Sequence, residues 1–329
     1  METKLNYKRT FLIGLAFLSI CSFWQMYDNI IPLILQNTYH LGETMTGAVM
    51  ALDNVLAIFL LPVCGMLSDK VHTKLGRRMP FIVVGTILAV IFMMMLPMID
   101  NAEKARWATG GSFSNQVFFL GVLFLTLVSM GLYRSPAVAL MPDVTPNHLR
   151  SRANAVINLM GAVGGVYALI MIKVLVGKGE TPDYLPLFSS IAAVMAIAVG
   201  ILVITIRENK LREEVEKAEA ANADTIEEKA MAEGVEAAGE IEAVGDTGEA
   251  KAFEEKQQTA KTESTKNMPK DVKRSMYFML ASIFLWFTAY NAVTTAFSRY
   301  TKVVWKMEGG SFANCLMVAT VAAIFSYIP

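Results

Sequence analysis

Seven long apolar runs dominate this sequence, near residues 11–35, 44–68, 80–99, 116–141, 153–176, 185–206 and 275–297, and an eighth begins near Ser311. Each reaches about 20 residues, the length an α-helix needs to cross roughly 30 Å of hydrocarbon. A bilayer core offers no water to backbone N–H and C=O groups, so only helices and closed barrels can span it. Barrel strands alternate over about ten residues, whereas these runs are continuous and rich in Leu, Ile, Met and Ala. An all-α membrane protein is therefore expected. Composition agrees: 54% of the 329 residues are hydrophobic and 18% charged, with mean hydropathy +0.44, too apolar for an ordinary soluble domain. The first run carries Asp28 and Pro32 and is followed at once by a second span, so it reads as a retained helix and not a cleaved leader.

Formal charge is zero, but its distribution is uneven. Residues 207–274 carry 12 Lys and Arg against 18 Asp and Glu, a net −6 that the remainder balances at +6. With Phe253 as its one aromatic, the 207–273 segment lacks the apolar surface to offset the entropy of ordering. It reads as a solvated, flexible charged linker, with a regulatory docking segment as the alternative. Lys4, Lys8 and Arg9, then Lys70, Lys74, Arg77 and Arg78, then Arg150 and Arg152, and finally the linker flanks fall in alternating segments. The positive-inside bias places these segments and the N-terminus in the cytoplasm of a multi-pass cell-membrane protein. Arg299, Lys302 and Lys306 run against the trend, so this orientation rests on the first six helices.

Cys21, Cys64 and Cys315 are single and lie within apolar runs, so no disulfide framework is indicated. His40, His72 and His148 match no metal-ligand spacing, and no phosphate loop or nucleophile elbow occurs. An enzyme, a metal site, a bound cofactor and a nucleic-acid partner are not expected. What remains is a charged knot between two greasy runs, GMLSDKVHTKLGRRMPFI, spanning Gly65 to Ile82. Its cations anchor topology at the least. Asp69, paired with cations between adjacent helices, could also act as a latch that releases when the helices rock.

That stretch resembles the loop 2–3 signature of the major facilitator superfamily in Gly65, Asp69, Gly76, Arg77 and Arg78. A second stretch, SPAVALMPDVTPNHLRSRANAVINLMGAVGG, is similar to the helix 4 to helix 5 region of its sucrose/proton symporter-like branch, related to glycoside-pentoside-hexuronide:cation symporters. The matching positions run from Pro142 and Asp143 to Pro146, then Arg150, Arg152, Ala153, Asn154 and Ala155. The resemblance implies a two-bundle helical transporter that moves a disaccharide or other glycoside with a proton by alternating access. It departs from plant sucrose symporters in carrying no acid in the helix 4 stretch LTLVSMGLYRSP.

Within the spans, ionisable residues are expensive and mark an interior, functional face by default. In CSFWQMYDN, Trp24 and Asp28 are four apart, as are Gln25 and Asn29, so a polar and aromatic stripe runs down one side of the helix. Asp53 and Asn54 lie at comparable depth on the second helix. Two carboxylates sharing a poorly hydrated cavity resist simultaneous ionisation, which suits Asp28 and Asp53 to proton coupling. Trp24, Gln25, Asp28, Asn29, Asp53 and Asn54, joined by Tyr290 and Asn291 after the linker, are the candidate sugar ligands, with core packing the alternative for Trp24, Tyr290 and Asn291. Arg134 lies near the inner end of its helix and is expected to pair with Asp69 or Asp143. Asn154 and Asn158 are either interhelical glue beside Gly161, Gly164 and Gly165 or part of a conformational gate with Gly65, Asp69, Arg77, Arg78, Arg134, Asp143 and Arg150.

Three parts are expected: a six-helix bundle over 1–206, the linker over 207–273, and the start of an incomplete second bundle over 274–329. The last follows from VAAIFSYIP, where the eighth run stops without a charged flank. Besides sugar and proton, the expected partner is the lipid bilayer. A facilitator or exporter of another small solute is the runner-up, and a receptor or scaffold with an acidic linker is a third reading.

Overall fold

The computed structural model describes residues 5–71, 73–109, 115–179, 181–215, 217 and 270–326. Most of the expected linker, 218–269, lies outside the described residues. The helices are α1 (Tyr7–Asn37), α2 (Glu43–Met50), α3 (Leu52–Lys70), α4 (Met79–Ala108), α5 (Gln116–Asp143), α6 (Arg150–Leu175), α7 (Leu185–Thr205), α8 (Lys270–Val303) and α9 (Ala313–Ser326), with a short 3-10 turn at Asn147–Leu149 before α6. Among the described residues, seven helical stretches are long and apolar enough to cross a membrane, with Glu43–Lys70 counted as one. Many of their large apolar side chains point outward, such as Ile58, Phe59 and Val174, as surfaces solvated by lipid require.

The chain forms two units, Met1–Ala221 with Thr294–Pro329, and Asn222–Val293. In the first, α1 packs along α6 and α4 along α5, while α7 contacts α1 and α4. Small residues set the spacing. A Cβ at Gly164 would stand 2.1 Å from the Leu18 carbonyl oxygen, so no larger residue fits that crossing. The contact is then locked by Ser22 Oγ, which donates to the carbonyls of Leu18 (2.8 Å) and Gly164 (2.9 Å). Gly85 does the same for α4 against α5, where a Cβ would meet the Tyr133 backbone nitrogen at 2.7 Å.

Three differences from the sequence reading have physical causes. Helix α4 runs past residue 99 to Ala108, because Lys104 reaches the buried Asp100 one turn back at 2.5 Å and Glu103 accepts from the Asn115 N–H at 3.0 Å. Charges that looked like a loop are paired on helical spacing. The second span is interrupted at Ala51, which puts Asp53 in the first turn of α3, where the helix dipole favours a carboxylate. Residues 208–215 are helical and not a solvated linker, with Glu208, Leu211 and Val215 1%, 8% and 9% exposed.

Near the end of the described chain, Gly309 and Gly310 bring the start of α9 against α6. A Cβ at Gly310 would meet the Ile172 carbonyl oxygen at 2.2 Å, and Phe312 is fully buried. Arg299, one of the cations running against the charge bias, pairs with Glu43 at 3.3 Å and hydrogen-bonds Gln36. In the second unit, the α8 side chains described are largely exposed, Tyr290 and Asn291 among them, and the Tyr290 ring stacks on Trp286 at 5.9 Å.

Candidate functional site

Two polar constellations stand out in the first unit. The first joins the α3–α4 turn to the ends of α5 and α7. Arg78, only 5% exposed, holds Asp69 through Nη2 (2.5 Å) and Asp143 through Nε (2.9 Å), and its Nη1 donates to Ser68 Oγ and to the Gly65 carbonyl (3.3 Å). The planar fork of a guanidinium suits such multiple engagement, which a lysine could not reproduce. Arg77 shares the same carboxylates, at 2.9 Å from Asp143 and 3.7 Å from Asp69. Burial works against its charge, but the hydrogen bond to Asp143, with Asp69 and Glu208 nearby, holds the Arg77 guanidinium above its ordinary value. Both aspartates sit in the last turns of helices, where the dipole disfavours an anion, so these cations offset a local cost.

The sequence reading missed Glu208. One carboxylate oxygen accepts from the backbone N–H groups of Arg77 and Arg78 and the other from those of Arg78 and Met79, all at 3.0 Å. These are the orphan donors at the start of α4, which Arg78 in the capping position cannot satisfy with its own side chain. Gly76 makes room. Its φ is +123°, and a Cβ there would fall 2.1 Å from Glu208 Oε2. Asn209 adds a clamp, donating to the carbonyls of Thr73 (3.1 Å) and Lys74 (3.3 Å). A signal was present: an uncapped helix start at GRRMP needs an acceptor from elsewhere in the chain.

Arg150 closes the α5 terminus, donating to the carbonyls of Pro142 (2.8 Å) and Thr145 (3.2 Å). Gly65 contributes its carbonyl more than its small size, since a Cβ would lie an ordinary 3.4 Å from Ser135 Oγ. Asn154 and Asn158 are exposed on α6, while Gly161, Gly164 and Gly165 are buried further along it.

The second constellation is a cavity of about 40 Å³, where Trp24, Asp53, Asn54, Leu127, Gly131 and Arg134 meet among leucines of α3. Arg134 lies over the Trp24 ring, 5.6 Å from its centroid. Expected to bind Asp69 or Asp143, it does not do so in this structure, and helical phase explains why. Residues 134 and 143 are nine apart, about 180° around α5, so Arg134 shares a face with Gly131 and Leu127 while Asp143 faces the α3–α4 turn. The two aspartates already have Arg77 and Arg78.

The stripe on α1 divides. Trp24 faces the cavity, and its indole N–H is buried without a hydrogen-bond partner among the described residues. Asp28 is half-buried one turn further along and is an electrostatic neighbour of Asp53. Gln25 turns toward α6, its side-chain oxygen 3.7 Å from a Cβ placed on Gly165. Asn29 is buried and donates to the Gln25 carbonyl at 2.7 Å, which leaves its own side-chain oxygen without a partner. Asn54 donates to Asp53 at 2.9 Å.

Comparison with known proteins adds a family. A family model described as Major Facilitator Superfamily matches residues 7–329. Sucrose transport protein SUT3 of Oryza sativa subsp. japonica is 26% identical over 137 residues, 39% of this chain and 27% of that protein. Sucrose transport protein SUC4 of Arabidopsis thaliana is 36% identical over 117 residues, 33% of this chain and 22% of that protein. Sucrose transport protein SUC3 of Arabidopsis thaliana is 28% identical over 120 residues, 34% of this chain and 20% of that protein. The alignments thus span between a fifth and roughly a quarter of these relatives' length.

Proposed function

From the premise that this chain belongs to the Major Facilitator Superfamily, as a multi-pass secondary transporter and not an enzyme, we propose that it moves a disaccharide or other glycoside with a proton by alternating access. The observation that carries this reading is the cavity in which an indole with an unpartnered N–H, the Asp53 carboxylate, the Asn54 amide and the Arg134 guanidinium converge. Sugar recognition needs paired hydrogen-bonding groups for hydroxyls and an aromatic face for the apolar side of the ring, and these residues supply both. Similarity to sucrose transport proteins supports a sugar as the solute.

At about 40 Å³ the cavity holds roughly one water, whereas small-molecule sites take roughly 300–1,000 Å³. Binding therefore requires the walls to separate, and the charge cluster is the lock that such a movement works against. Asp69, Arg77, Arg78 and Asp143 would exchange partners between states, with Gly65, Arg150, Asn154 and Asn158 on the elements that move and Arg134 in the cavity wall. Gln25, Asp28 and Asn29 complete the α1 contribution. Asp28 and Asp53 are the proton-coupling pair, since two neighbouring carboxylates resist ionising together.

Uptake of a panel of labelled glycosides into proteoliposomes, with and without a pH gradient, tests the solute and the coupling. Asp28→Asn keeps size and some hydrogen bonds but cannot change charge. Gradient-driven accumulation should fall to background in that variant while sugar exchange at equal pH persists, with Asp53→Asn as comparison. Wild-type accumulation by Asp28→Asn would move the coupling role to Asp53, and loss in neither would end the proton-coupling reading.

A further inference from the structure

The N-terminal turn of α1, the end of α7 and the 208–215 helix enclose another cavity, of about 340 Å³, that shares no residue with the candidate site. Four cations line it, Lys8, Arg9, Arg207 and Lys210, against one acid, Glu214. Arg9 is held by Glu214 at 2.8 Å, so Lys8, Arg207 and Lys210 carry the charge that a ligand would meet. Helix ends contribute little here, because the C-terminus of α7 offsets the N-termini of α1 and of the 208–215 helix. Asn6 and Thr205 add polar groups, and the remaining lining is apolar, with Ile206 and Leu211 packed into the core and Leu12 on the first turns of α1.

We propose that this cavity binds the phosphate headgroup of an anionic phospholipid. Phosphate oxygens accept from the Arg207 guanidinium and from the Lys8 and Lys210 ammonium groups, the chemistry by which basic pockets between membrane helices hold such headgroups. A lipid is favoured over a soluble phosphate because two of the three cavity walls, those of α1 and α7, are ends of membrane-spanning helices. The same turns also expose Phe11 and Ile204, 43% and 84%, as surface for acyl chains. The volume suits a glycerophosphate group and not a whole lipid, which leaves the chains in the bilayer.

Native mass spectrometry of the full 329-residue chain, released from nanodiscs of phosphatidylglycerol mixed with phosphatidylcholine, measures the preference. The expected result is selective retention of one phosphatidylglycerol, weakened about five-fold by each of Lys8→Gln, Arg207→Gln and Lys210→Gln, and about 100-fold by all three. Millimolar inorganic phosphate or glycerol phosphate should not displace it. Equal retention of both lipids, or a triple variant that binds like wild type, overturns the proposal. Displacement by free phosphate overturns it too, in favour of a soluble anion. If the triple variant does not fold, phosphatidylglycerol with a photoreactive headgroup gives the answer on the unmodified chain: adducts within 6–12 and 205–214 support the site, and adducts elsewhere refute it.

Discussion

The charge cluster and the cavity are built from the same kinds of side chain and use them in opposite ways. In the cluster, Arg78 spends its fork on two carboxylates, a hydroxyl and a carbonyl, and Glu208 spends both oxygens on three backbone N–H groups. In the cavity, the Trp24 indole N–H has no partner among the described residues, and Arg134 rests on a ring face. Arg77 Nε aside, the cluster's groups are used up, and saturated polar groups in a low-dielectric setting fix a geometry, while groups with unused capacity can take a visitor. Variants in the cluster should therefore cost mainly stability, and variants in the cavity should cost mainly transport. Thermal unfolding in detergent, run beside uptake, separates the two.

Gly76→Ala should have the largest effect. The new methyl group meets both a left-handed backbone and the Glu208 carboxylate, so about 3 kcal/mol or more of stability should be lost, and uptake with it. An unchanged unfolding midpoint would mean that the turn relaxes freely and the cluster is no more rigid than the cavity. Asp143→Asn comes next. It removes the carboxylate that Arg77 and Arg78 share and leaves the buried Arg78 and half-buried Arg77 guanidinium groups with less compensation, at about 2–3 kcal/mol.

Glu208→Gln is a sharper probe and a smaller one. The amide keeps one acceptor oxygen but turns its NH₂ toward an N–H that needs an acceptor, for a loss of about 2 kcal/mol. Amide hydrogen exchange should quicken at residues 77–79 before it does elsewhere in α4. Protection equal to wild type would show that Glu208 is dispensable to the helix start.

These two regions were unequally legible in the sequence. The spanning helices of the first unit, the α1–α6 glycines and the pairing of Asp69 with cations follow from apolar length, small-residue spacing and local charge. Glu208 did not stand out, because it opens a long acidic stretch whose composition reads as solvated, and composition averages away a residue that is 1% exposed. The break at Ala51 carries no Pro or Gly and left no mark. Arg134 was assigned by its depth along the helix alone. Its angular position, half a turn from Asp143, decides which neighbours it meets.

Arg134→Gln should give the smallest change in stability and the clearest contrast with the cluster. A guanidinium over an indole contributes about 0.5–2 kcal/mol, and the glutamine keeps much of the aliphatic stem, so the net loss should stay near 1 kcal/mol. Uptake should nevertheless fall, because the cavity loses the one cation that, among the described residues, faces Asp53 and Trp24. Arg134→Lys keeps the charge but not the planar fork, so it tests what kind of contact the cavity needs. Uptake restored by lysine would show that charge suffices, and failure with an intact unfolding midpoint would show that the flat face on Trp24 is the working feature. If Arg134→Gln instead unfolds the chain as Asp143→Asn does, Arg134 belongs with the structural charges, and the division between the two regions fails at that residue.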